Sequence, residues 1–158
     1  MIRCIAVIDG QAGLGNKQGI PWQQQTPNEL RFFRNKTKGG EILMGYHTYQ
    51  TLPHALTGRT NYVLTHRSEP MHEGFVAVPE LHGFLVSHPD VWVIGGAEVF
   101  SQVLGKAEEL YLTQLEESFD CTVFFPEFHT SFAKISQSER QTENGVHYTY
   151  QTWRRKNH

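Results

Sequence analysis

Val91-Trp92-Val93-Ile94-Gly95-Gly96-Ala97-Glu98-Val99-Phe100 decides how this chain folds. Four consecutive apolar residues read as a strand buried on both faces. Two glycines then turn the chain, and a helix begins at once at Ala97. Strand, tight turn and helix in that order belong to a parallel sheet, and open α/β sheets bind ligands beyond the carboxyl ends of their strands. The free N–H groups of a helix start favour an anion, and glycine lets a phosphate approach the backbone. The plainer alternative is a strand-to-helix turn that binds nothing. The motif is not GxGxxG, and Gly13-Leu14-Gly15 precedes no predicted helix, so the usual dinucleotide fingerprint is absent.

Outward from that stretch, short β-rich runs alternate with helix-length segments. Strands are predicted over 2–9, 41–44, 60–65, 75–78 and 109–114. Helices are predicted from Thr26 to about Lys36, over 47–52, from Pro79 to Val86, and from Ala97 to Leu104. Residues 10–25 carry no apolar period and read as a long loop. Two late strands, around 132–139 and 146–153, are expected to pair antiparallel. The pattern implies an α/β fold: a central, mostly parallel sheet with an antiparallel C-terminal edge, flanked by helices. No repeat or linker divides it, so residues 1–158 read as one domain.

Composition narrows the function. Hydrophobic residues make up 39% and aromatics 12%, which excludes a disordered chain. The formal charge of −2 argues against a broad nucleic-acid or anionic-membrane surface. No apolar run reaches membrane-spanning length, and Met1-Ile2-Arg3-Cys4 fits no signal peptide. Cys4 and Cys121 match no metal-ligand spacing and are expected to be reduced thiols of a cytoplasmic protein, Cys4 as core packing. No metal site and no large association surface is indicated, so a monomer is expected. The closing Arg154-Arg155-Lys156-Asn157-His158 reads as a solvated end.

Four further places carry chemistry. In Thr26-Pro27-Asn28-Glu29-Leu30-Arg31-Phe32-Phe33, Thr26 and Glu29 have the spacing of a capping box, with Pro27 at the first helical position. Yet Glu29, Leu30 and Phe33 share one helix face. A carboxylate on a core-facing stripe needs a partner, and a cationic or amide-like ligand would supply one. Trp22, in Gly19-Ile20-Pro21-Trp22, is either an anchor packed on the core or a lid residue with an indole N–H to donate. Arg59, before a strand, is either a solvated turn residue or a clamp for a carboxylate. Thr65-His66-Arg67-Ser68, at a strand's carboxyl end, suits a phosphate but equally fits a polar loop.

The order and spacing of these features resemble dihydrofolate reductase over nearly the whole chain. The likeness rests on Ile5-Ala6-Val7, Gly15, Ile20-Pro21-Trp22, Glu29-Leu30-x-x-Phe33, Met44-Gly45-x-His47-Thr48, Gly58-Arg59, Ile94-Gly95-Gly96, Leu110-Tyr111-Leu112-Thr113 and Phe125-Pro126. The resemblance implies reduction of 7,8-dihydrofolate to tetrahydrofolate with NADPH, in support of one-carbon metabolism. It implies that Glu29 is the acid that grips the pterin, with Trp22 and Thr113 beside it. Ile5, Leu30, Phe33, Leu52, Leu56 and Ile94 become the apolar walls, and Arg59 the clamp on the substrate's glutamate. Ala6, Val7, Leu14, Gly15, Ile20, Gly45, His47, Thr48, Leu64, Thr65, His66, Arg67, Gly95, Gly96 and Val99 become cofactor contacts. The loop holding Ile20 is expected to move during turnover.

Some residues depart from the family pattern. Tyr46 stands where Arg or Lys is usual, and Glu98 where bacterial members often have Arg. The 2′-phosphate is then left to Thr65, His66 and Arg67, and a weaker preference for NADPH over NADH is expected. Gln23-Gln24-Gln25 lengthens the segment before the acidic helix. Thr122 replaces an Asp that often steadies the mobile loop. Two rival readings share the architecture: a pyrimidine reductase of riboflavin synthesis, and a non-catalytic nucleotide-binding module. The Pro-Trp loop and acidic helix count against the first. Glu29, Trp22, Arg59 and Thr113 together count against the second.

Overall fold

The computed structural model describes residues 1–157. Five strands form its parallel centre: β1 (Arg3–Ile8), β3 (Glu41–Gly45), β4 (Thr60–Leu64), β5 (Phe75–Val78) and β6 (Trp92–Gly95). With β7 (Glu109–Leu115) they run β7-β1-β6-β3-β4-β5, every neighbouring pair parallel. The antiparallel edge follows β7. There β11 (Val146–Arg155) pairs with β7 on one side, and on the other with β9 (Phe132–Gln137) and β10 (Gln141–Glu143). The connections include α1 (Pro27–Thr37), α2 (Tyr46–Thr51), α3 (Leu81–Ser87) and α4 (Ala97–Val103).

The central strands are apolar because both sheet faces are covered. Cys4, Ile42, Leu43, Met44, Val63, Val91, Val93, Leu110 and Leu115 are wholly buried. One core cluster, around Leu43, Val93, Phe100 and Leu112, lies with α3 and α4. A second, around Ile5, Ile42, Met44 and Trp92, includes Phe33 of α1.

The structure corrects the sequence reading in several places. The loop over 10–25 contains β2 (Gly13–Gly15), paired antiparallel with β8 (Val123–Phe124). Helix α3 does not open at Pro79. Glu80 caps it, accepting from the N–H groups of His82 and Gly83. The C-terminal run is a solvated end only in part: Arg154 and Arg155 complete β11, while Lys156 and Asn157 lie exposed beyond it. Arg154 donates to the buried carboxylate of Glu109 at 2.8 Å, and Arg155 donates to the carbonyls of Ala107 and Leu104. A buried carboxylate needs such a partner. His158, the last of that run, lies outside the described residues.

Candidate active site

Glu29 sits in the first turn of α1 and is 7% exposed. The capping box read from the sequence does not form. Thr26 makes no side-chain bond to the helix start; its hydroxyl donates to the Trp22 carbonyl instead. Among the described residues, one hydrogen bond reaches the Glu29 carboxylate. The Thr113 hydroxyl, from β7, donates to Oε1 at 3.2 Å. Burial pushes the Glu29 carboxyl up to about 7, with Glu143 adding repulsion and Thr113 acting the other way.

Five of the six apolar residues expected around this acid share one cluster. Phe33, Leu52, Leu56 and Ile94 pack against a cluster holding Ile5, Met44 and Tyr49, and Leu30 is half-buried on the same helix as Glu29. Trp22 is buried with Leu115, Val146 and Tyr148, and Val7 packs on them, so the indole anchors its loop to the core. Arg59 is neither free nor fully committed. Its Nε and Nη2 donate to the Thr57 carbonyl and its Nη1 donates to the Thr37 hydroxyl at the end of α1. A guanidinium has five N–H donors, which leaves two for a carboxylate. A cavity of ≈ 400 Å³ nearby, lined by Phe32, Lys36, Tyr111 and Tyr150, takes in none of the expected site residues.

Of the expected cofactor residues, Gly45, Thr48, Leu64, Gly95, Gly96 and Val99 lie where the parallel strands end. Met44 is level with Gly95 across β3 and β6, and Gly45 with Leu64 across β3 and β4. Gly45 and Gly96 precede α2 and α4, and among the described residues no side chain caps either helix. A Cβ on Gly45 would meet Val99 Cγ2 at 2.8 Å, and one on Gly96 would lie 3.7 Å from the Thr48 hydroxyl. The Gly95–Gly96 peptide bond is cis. Ala6 and Leu14 pack on the core beside this edge, whereas His47 and Ile20 are exposed. Gly15 is buried, and its carbonyl accepts the Thr122 N–H at 2.9 Å. Asn16 adds a bond from Nδ2 to the Asp120 carbonyl at 2.7 Å. The Ile20 loop is thus tethered through backbone and Asn16, without the missing Asp at 122.

Thr65 is buried and its hydroxyl accepts the Arg67 N–H, while His66 and Arg67 are exposed. The Arg67 guanidinium stacks 4.2 Å above the Tyr46 ring. Tyr46 therefore does not simply delete a positive charge; it carries a neighbouring one. Sequence spacing did not reveal this pair, because its members lie on different elements.

These observations set an acid, an apolar wall and a glycine-lined strand edge around one end of the sheet. A profile of the family described as "Dihydrofolate reductase" matches residues 1–155. The chain belongs to that family. The reductase of Bacillus subtilis is 31% identical to it, the match covering 99% of this chain and 96% of that one. That of Haemophilus influenzae is 34% identical over 73% and 72%. Among solved structures, dihydrofolate reductase from Enterococcus faecalis, complexed with NADP(H) and RAB-propyl, superposes with a TM-score of 0.90 at 26% identity. That likeness covers 99% of this reductase and 97% of the other chain. As a dihydrofolate reductase it is an NADPH-dependent oxidoreductase.

Proposed function

We propose that this reductase converts 7,8-dihydrofolate to 5,6,7,8-tetrahydrofolate through one buried acid, Glu29. The observation that carries the reading is a buried carboxylate, on the helix whose Phe33 packs on the apolar cluster, that accepts from a single hydroxyl among the described residues. Such a group keeps acceptor capacity free for the amidine-like edge of the pterin, which offers two parallel N–H donors. A negative charge there favours protonation of the heterocycle, so the ring nitrogen gains its proton as the adjacent carbon gains hydride. No second acidic side chain is assigned to the pocket, so water supplies that proton. Thr113 orients Glu29, and Trp22 fixes the loop beside it. Ile5, Leu30, Phe33, Leu52, Leu56 and Ile94 hold the pterin flat and exclude water. Arg59 takes the substrate's α-carboxylate with its remaining N–H donors.

The strand edge fits the cofactor on its own terms. Two uncapped helix starts behind glycine suit a pyrophosphate. Gly45, Thr48, Gly95, Gly96 and Val99 would hold the dinucleotide, with Ala6, Val7, Leu14, Gly15, Ile20 and His47 around it. Thr65, His66 and Arg67 would take the 2′-phosphate, and Leu64 the adjacent wall. Bound there, NADPH supplies the hydride. A net charge of −2 and two free cysteines support a cytoplasmic monomer that binds small molecules and neither nucleic acid nor membrane. Among the described residues, no helix is long and apolar enough to cross a membrane.

The test mixes the protein with dihydrofolate and NADPH and follows loss of reduced-nicotinamide absorbance. Turnover is expected, and its absence would remove the reading. In Glu29→Gln, activity should fall about a hundredfold or more near pH 7 and recover partly in acid, where the substrate arrives protonated. Full activity of that variant at pH 7 would rule out the assigned role of Glu29.

A further inference from the structure

Helix α1 lacks a local cap, yet its first N–H groups are not orphaned. Glu143, the last residue of β10, reaches them from 115 residues away. Its carboxylate accepts the Asn28 N–H at 2.9 and 3.2 Å and the Glu29 N–H at 3.3 Å. The Tyr148 hydroxyl donates to Glu143 Oε1 at 2.6 Å and fixes its direction. The next residue, Asn144, donates from Nδ2 to the Gln25 carbonyl at 3.0 Å. One hairpin turn therefore grips the chain on both sides of Thr26.

This arrangement solves a conflict built into the sequence. In a capping box, the glutamate at the third position turns back to its own helix start. Glu29 cannot do that and also face Thr113. An anion imported from β10 satisfies the helix start and suits its macrodipole, leaving Glu29 free. We propose that Glu143, held by Tyr148 and assisted by Asn144, is the positioning residue of the substrate-binding acid: it fixes the first turn of α1 and keeps a second negative charge beside Glu29. The proposal deepens the functional reading above and rests on it for its catalytic meaning.

The second charge has a consequence that a purely structural cap would not. The titratable groups that bear on Glu29 are Glu143 from β10 and Tyr150 from β11; Thr113 of β7 does not titrate. Burial, with Glu29 and Glu143 nearby, raises the Tyr150 phenol, which stays neutral in the working range. Among the described residues, Glu143 is thus the one neighbour whose charge resists ionisation of Glu29. It helps hold the acid where it exchanges a proton near neutrality.

The decisive variant is Glu143→Gln, because the amide oxygen can still accept from Asn28 and Tyr148 while the charge is gone. The Glu29 carboxyl is titrated by carbon NMR in substrate-free protein labelled at glutamate, its signal assigned by its loss in Glu29→Gln. The midpoint should fall by about half a pH unit or more. Glu143→Ala, which removes the cap as well, should raise KM for dihydrofolate about three- to tenfold while Kd for NADPH stays the same. An unmoved Glu29 midpoint in Glu143→Gln overturns the proposal, whether or not Glu143→Ala folds. The titration needs no substrate, so it reads the coupling even if Glu29 proves to have another role. Turnover by Glu29→Gln tests that role separately.

Discussion

Replacing Glu29 by Gln should stabilise the fold at neutral and higher pH while it removes activity. Burial shifts the Glu29 carboxyl from the ordinary glutamate value of 4.5 up to about 7. A folded value above the unfolded one means that the folded state binds the proton more tightly. The favourable contribution is therefore complete below pH 4.5, is lost as pH rises through about 7, and is absent beyond it. The gap corresponds to about 3–4 kcal/mol, at about 1.4 kcal/mol for each pKa unit. Glutamine carries no charge at any pH and escapes this cost. Its amide donors add an unpaired polar group, about 1 kcal/mol against it, but that offset does not vary with pH. Urea unfolding of the parent and of Glu29→Gln at pH 4.5, 6, 7 and 8 measures the difference directly, since groups common to both proteins cancel. The variant should be no more stable than the parent at pH 4.5 and about 2 kcal/mol more stable at pH 8. A stability difference that stays constant across this range would refute the reasoning and mean that Glu29 is not strained by burial. The expected exchange of stability for function is common where a site must hold a charge in apolar surroundings.

Two further outcomes follow from the strand edge. Tyr46→Leu should weaken NADPH binding about two- to fivefold, the scale of an exposed cation–π contact, and leave NADH binding unchanged. Titration calorimetry with each dinucleotide would show it, and equal losses for both would disconnect Arg67 from the 2′-phosphate. Gly95 has φ 118°, and a Cβ there would meet the Phe100 ring at 3.2 Å. Gly95→Ala should therefore lower stability by about 1–3 kcal/mol in urea unfolding, and an unchanged midpoint would contradict the strain.

Arg67 and Tyr46 show where reading from sequence stops. The substitution at 46 looked like the loss of a phosphate-binding charge, because a sequence gives residue types and not their neighbours. In the fold, the aromatic ring carries Arg67 from the loop after β4. The same limit hid β2, β8 and β10. Each has only two or three residues, too few to show a period; β2 and β8 are strands only because each pairs with the other from far along the chain, and β10 only because it pairs with β11 across a tight turn. Asn144-Gly145, with φ 49° and 83°, is the signal that would have found the last of them. An Asn-Gly pair between alternating segments marks a two-residue hairpin turn.

The alternation of strand and helix, the paired glycines after a buried strand, and the acid with Leu30 and Phe33 on one helix face were all legible before any coordinates. Each is a short-range pattern, set by backbone sterics and by the periods of helix and strand. Spacing alone left Glu29 two roles, helix cap or ligand-binding acid, and only the resemblance to the family implied the second. Tertiary structure removes the cap role. Glu143, brought alongside by the β10–β11 hairpin, accepts from the helix start, and the buried Glu29 carboxylate, accepting from Thr113, is left free for the role proposed above. Electrostatic competition of that kind depends on distance in space, and only the folded chain sets it.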